Sequence, residues 1–214
     1  MNDLFLEATI ETLYMVSFST VFSLLIGFPL GMLLVITEKD GIWAKPRFNK
    51  FLDGTINILR SIPFIILMIL VFPLSRLILN SSIGTTATIV PLSIAAAPFV
   101  ARIIETSIRE IDKGVIEMSQ SIGSSVGEII KYVLIPEAMP SIISGITLTI
   151  INIIAYSAMA GAIGGGGLGD VAIRFGLYKR GQAHIMYIAI IIIIALVQGI
   201  QFIGNKLMLK VDKK

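Results

Sequence analysis

The sequence predicts an all-α integral membrane protein with five transmembrane helices, and three observations predict it. Hydrophobic residues make up 55% of the 214 and charged residues only 14%, with a mean hydropathy of +0.90, values that belong to membrane rather than soluble chains. Nearly charge-free intervals recur five times at the length, roughly 20 residues, needed to cross a ~30 Å hydrocarbon core. The basic residues are distributed through the segments between those intervals, which is the pattern of membrane topology and not a nucleic-acid footprint. Cysteine is absent, so disulfide and thiolate chemistry do not arise.

The first interval lies between Glu11 and Glu38. Asp3, Glu7 and Glu11 stand where a cleavable signal would carry positive charge, so the N-terminus is expected to be that of the mature protein. The second span runs from about Ile56 to Ile78, with Arg60 near one end, where snorkelling avoids the ~3 kcal/mol penalty of a charge at the bilayer centre. The third covers Ile83 to Ile104, the fourth Ser141 to Ala162, and the fifth Ile185 to Ile203. His184 precedes the fifth span without a metal partner at ligand spacing and reads as an interfacial residue. Together the spans form one domain, residues 1–214.

An odd number of spans puts the termini on opposite sides, and the positive-inside rule selects the orientation. With the first connection inside, that side holds Lys39, Lys45, Arg47, Lys50, Arg60, Arg102, Arg109, Lys113, Lys131, Lys206, Lys210, Lys213 and Lys214. The other side keeps Arg76, Arg174, Lys179 and Arg180. Thirteen against four places the N-terminus outside and the C-terminus inside.

Pro29, Pro63, Pro73, Pro91 and Pro98 fall within the proposed spans. They read either as ordinary kinks, tolerated when neighbours re-pair the freed carbonyls, or as bends in helices that line an opening and closing path. Gly27, Gly31, Ser157 and Gly161 permit close helix approach. No span carries a charge near its middle, so the pattern suits a small, largely neutral solute better than an ion or a proton relay.

Gly164 to Gly169, GGGGLG, satisfies G-x-G-x-x-G by spacing. A dinucleotide site requires that motif between a strand and a helix of a soluble unit, and here a membrane span precedes it. The expected roles are a flexible external turn, or a tightly folded cap in which backbones meet. No G-x-x-x-x-G-K-[ST] occurs, so the chain lacks a P-loop. No catalytic constellation, cofactor site or metal site emerges, and the chain reads as a non-enzyme.

One stretch breaks the apolar rhythm: Glu117 to Pro140, EMSQSIGSSVGEIIKYVLIPEAMP. Apolar residues recur at Val115, Met118, Ile122, Val126, Ile129 and Val133, steps of 3 or 4 that mark one helical face. Glu117, Gln120, Ser121, Ser124 and Lys131 mark the opposite face. Gly123 interrupts the pattern, where a helix loses about 1 kcal/mol relative to Ala, and Ser125 to Glu128 forms an S-x-x-E capping box. Two short helices meeting at Gly123 are therefore expected. Pro136 should end the second, and Pro140 should open the next helix in its first turn. On the selected topology this stretch is cytoplasmic.

Glu117, Gly123, Val133, Ile135 and Pro136 stand at the spacing of the EAA loop, E-A-A-x-x-x-G-x9-I-x-L-P, and the stretch resembles that signature of bacterial ABC importer permeases. Met118 and Ser119 replace its two alanines. The resemblance extends through NILRSIPFIIL, APFVARIIETSIREID, IPEAMPSIISG and YSAMAGAIGGGGLGDVAIRFG, and it is to the methionine-type importer permeases. It implies a homodimeric pore in the bacterial cytoplasmic membrane, two ABC ATPase subunits that bind ATP and Mg2+, and an external methionine-binding lipoprotein or periplasmic protein. It also implies that the loop is a coupling helix docking in an ATPase cleft, through Glu117, Met118, Ile122, Gly123, Ser124, Ser125 and Val126. The competing expectation is an amphipathic helix on membrane lipid, although Lys131 is almost the only basic residue on its polar face.

The translocation pathway is expected to involve Pro63, Tyr156, Ser157 and Met159. Met159 offers a soft side chain suited to a gate that repacks, or alternatively fills a packing gap. Two functional alternatives stay open: an importer for another amino acid or an osmolyte, and a stand-alone secondary carrier. A carrier predicts inverted repeats and an ionisable mid-membrane site.

Overall fold

The computed structural model describes residues 2–178 and 182–212, and among these all regular structure is helical. Four helices are long and apolar enough to cross a membrane. They are α1 (Asn2–Ile36), α4 (Thr85–Arg109), α7 (Ile135–Gly161) and α9 (Ala183–Val211). The fifth candidate is a pair, α2 (Pro46–Ser61) and α3 (Phe64–Leu79), bent by 107°. Short helices α5 (Lys113–Ser121), α6 (Val126–Ile129) and α8 (Gly167–Ile173) complete the chain. Lys179, Arg180, Lys213 and Lys214 of the charge count lie outside the described residues.

The second span thus differs from the continuous helix expected over Ile56 to Ile78. Pro63 forces Ile62 into extended backbone at φ −80, ψ 125, because the proline ring excludes helical geometry at the preceding residue. α2 ends there, and Pro63 becomes the cap that opens α3.

Close backbone approach organises the centre. A Cβ added to Gly27 would lie 2.5 Å from the Ala97 carbonyl oxygen, and one on Gly31 2.4 Å from that of Ala101. α1 and α4 therefore pack along a Gly/Ala seam, the form of association expected where burial from water supplies no driving force. Met32, Ile36, Val100, Ile104, Ile108, Ile129, Leu134 and Ile142 fill one core beside it. Met15, Leu92, Ile153 and Ile154 fill a second.

The glycine-rich stretch is the tightly folded cap. Gly164, Gly166 and Gly167 have positive φ. The Glu11 carboxylate accepts from the Gly167 N–H at 2.7 Å and the Thr12 hydroxyl from the Leu168 N–H at 2.9 Å. A Cβ on Gly169 would sit 2.4 Å from the Ala158 Cα, and one on Gly161 2.2 Å from the Asp170 nitrogen. Only hydrogens fit where α7 meets α8.

Pro136 does not end a helix. Val126 to Gly161 runs as one helical stretch because residues Ile130–Leu134 form a π turn. That wider turn pairs the Ile135 N–H with the Ile130 carbonyl and makes room for the proline ring, the local adjustment by which prolines persist in membrane helices. Pro140 consequently lies inside α7.

Candidate functional site

Two exposed aliphatic residues between α4 and α7, Met118 and Ile122, stand at a bend built by local rules. Asp112 caps α5, its carboxylate accepting from the Gly114 N–H at 2.6 Å. At the other end the Ser124 N–H donates to the Ser119 carbonyl and the Gly123 N–H to the Gln120 carbonyl. With Gly123 at φ +83, this is a Schellman motif, which needs a left-handed residue just past the helix. Ser125 then starts α6 with the anticipated capping box. Its N–H donates to Glu128 at 2.8 Å and its hydroxyl accepts from the Glu128 N–H.

The bend divides the apolar pattern in two. Ile129 is buried in the core, and Ile116 and Val133 pack against it. Met118 and Ile122 point away, 63% and 79% exposed. Glu117 and Ser125 are exposed beside them, and Ser124 and Val126 are half-buried. No neighbouring atom would meet a Cβ on Gly123. Ser119, one of the two departures from the family's alanines, is buried and donates its hydroxyl to the Val115 carbonyl at 2.8 Å. Its polar group is satisfied inside the chain, and of the two departures only Met118 is turned outward.

A charged ladder braces the helix that feeds this bend. Arg102 on α4 donates to Asp53 at 2.6 Å and to the Asn57 amide oxygen at 2.8 Å, both on α2. It also reaches Glu105 at 2.6 Å. Glu105 is buried and pairs further with Arg109 at 2.7 Å, and Arg109 with Glu38 beyond α1. Five charges join α2, α4 and the turn after α1, three residues short of α5. Sequence reading assigned Arg102 and Arg109 to the same side of the membrane but did not find their partners. Asp53 and Arg102 are far apart in the chain, and no periodicity links them.

Of the expected pathway residues, Pro63 is exposed at the elbow, and the following Phe64 stacks on Tyr156 with ring centroids 4.4 Å apart and planes 7° from parallel. Ser157 is buried and donates to the Ile154 carbonyl of its own helix at 2.8 Å. Met159 is 49% exposed. It belongs to an outward stripe on α7 with Ser144, Leu148 and Ala155. That stripe runs into an open cleft of about 240 Å³ lined also by Arg60, Phe99, Arg102, Thr106 and Ser141. The recurrence of small and polar residues at steps of 3 and 4 along α7 was the available signal for Ser141 and Ser144.

Comparison with known proteins is consistent along the whole chain. A permease from Vibrio cholerae named as a probable D-methionine transport system permease protein is 46% identical over 213 residues, covering 100% of this chain and 94% of the relative. The methionine import system permease protein of Bacillus subtilis is 44% identical over 208 residues, covering 97% and 93%. A chain of the MetNI methionine ABC transporter in an inward-facing conformation superposes with TM-score 0.97 at 39% identity, covering 100% and 98%. Residues 27–204 match the family described as binding-protein-dependent transport system inner membrane component, and the chain belongs to that family as a multi-pass membrane protein.

Proposed function

We propose that the chain is the membrane-spanning subunit of an ATP-driven importer that carries methionine, the L form and as a second candidate the D form, across the bacterial cytoplasmic membrane. The observation that carries this reading is the full-length likeness, TM-score 0.97 at 39% identity, to a chain of a methionine ABC transporter. Two copies form the pore, two ABC ATPase subunits bind ATP and Mg2+, and an external methionine-binding lipoprotein or periplasmic protein delivers cargo. The chemistry resides in those ATPases, and this chain converts it into motion.

The N-terminus faces outward, and α5 with α6 faces the cytoplasm, an orientation supported by the thirteen-to-four distribution of basic residues. Met118 and Ile122 enter an ATPase cleft as an apolar ridge, with Glu117 meeting a basic group at its edge and Gly123 letting the backbone come close. ATP binding draws the two docking helices together and favours the outward-open arrangement. Each partner selects a conformation by differential affinity, which is the thermodynamic content of the coupling. Along the path, Met159 serves as a gate near the stacked Phe64 and Tyr156, with Pro63 setting the elbow from which α3 begins and Ser157 holding the turn of α7 behind them.

The test is uptake of labelled methionine into proteoliposomes holding this chain, its ATPase and its binding protein. Uptake requires ATP and is competed by methionine before other amino acids or osmolytes. Preferential competition by another solute would reassign the cargo, and uptake driven by an ion gradient without ATP would overturn the importer reading.

A further inference from the structure

The segment joining α1 to the elbow braces α4 through Asp53 and Asn57, and its opposite side is a surface of its own. α2 turns 107° from α3, and α3 is about 24 Å long at 1.5 Å per residue. With α3 crossing the bilayer, α2 lies near the membrane plane. One side of α2 is fixed to the protein: Leu52 and Ile56 are buried with Leu34 and Ala101, and Asn49 donates to the Leu34 carbonyl at 2.6 Å. The side turned away carries Phe48, Phe51 and Ile58, which are 43%, 73% and 66% exposed. At 3.6 residues per turn these fall in one stripe, and Arg47 and Lys50 line one edge of it. Just before the helix, Trp43 is 45% exposed and the Lys45 ammonium lies 3.5 Å from its ring centroid.

An aromatic stripe of this size is unfavourable in water, and its cations are unfavourable in hydrocarbon. Both are satisfied only at the boundary, where rings reach the acyl region and ammonium and guanidinium groups reach phosphate. Among the described residues neither Lys45, Arg47 nor Lys50 has an acidic partner. We propose that residues 43–58 are a membrane-surface anchor whose partner is anionic phospholipid. Trp43, Phe48, Phe51 and Ile58 sit in the upper acyl region, and Lys45, Arg47 and Lys50 sit against headgroup phosphates.

Trp43 is the only tryptophan in the sequence, so the unmodified full-length protein reports on this segment. The experiment places it in nanodiscs and measures Trp43 quenching by lipids brominated near the headgroup or deep in the chain, in zwitterionic and in anionic bilayers. Shallow bromines should quench more strongly than deep ones, and brominated anionic lipid more than its zwitterionic counterpart. The K45Q/R47Q/K50Q variant should lose that lipid preference, by up to about fivefold for each cation removed, while keeping the wild-type melting temperature. Emission as in water, quenched by aqueous iodide in every bilayer, would overturn the proposal. So would a shielded Trp43 insensitive to all brominated lipids, which would assign the face to a second copy of the chain.

Discussion

The two ends of the helix bundle are closed by different physics. At one end the glycine cap holds by shape: Gly161 and Gly169 leave room only for hydrogens, and Glu11 and Thr12 receive the first N–H groups of α8. At the other end, charges bridge gaps that backbones do not close, from Asp53 through Arg102, Glu105 and Arg109 to Glu38. A cap held by sterics has one arrangement. A ladder of ion pairs can exchange partners, and it stands at the end that bears the exposed bend between α5 and α6, the end that moves under the proposed function.

The difference can be broken from either side. The largest expected effect is at the ladder: Glu105→Ala leaves Arg102 and Arg109 without the buried carboxylate between them, at about 3 kcal/mol, the low end for a broken buried pair because Arg109 is half-exposed. Thermal unfolding in detergent measures this, and the loss should shrink at high salt, where the parent ladder is itself screened. Next is Gly31→Ala on the central seam, about 1–3 kcal/mol of overpacking, since the added methyl meets the Ala101 backbone and α1 must move away from α4. That loss should not depend on salt.

Smaller still is Gly123→Ala, about 1 kcal/mol for a non-glycine residue at positive φ. There is open space around it, so the strain is conformational and local, and the melting temperature should fall by only about 2–4 °C. Met159→Ala, on the outward stripe of α7, should leave stability nearly unchanged while altering the rate or tightness of transport. An unchanged transport rate would make Met159 a packing residue.

Legibility from the sequence followed the range of the interaction. Four spans were readable because absence of charge over 20 residues is a one-dimensional signal. The bend at Gly123 and the capping box at Ser125 were readable because a cap is written within five residues. The elbow at Ile62 was not, because counting charges from Ile56 onward joined the end of an amphipathic helix to the start of a spanning one across Pro63. Pro136 was read as a stop, which holds for a regular helix but not where a π turn precedes it. The ladder needed the third dimension, as did the burial of Ser119, whose hydroxyl satisfies itself on Val115 within the chain. The family resemblance pointed to residues 117–126 as one unit. The structure separates an outward pair, Met118 and Ile122, from Ser119, Ser124 and Val126, which are buried or half-buried.

The central claim is that this outward pair engages the ATPase. It is tested most directly by co-purification of the ATPase subunit with the wild-type chain and with Ile122→Asp, a substitution at a position 79% exposed. Unchanged melting temperature with loss of the bound ATPase and of ATP-dependent methionine uptake is the predicted result. An Ile122→Asp protein that retains its ATPase and transports at the wild-type rate would contradict the account.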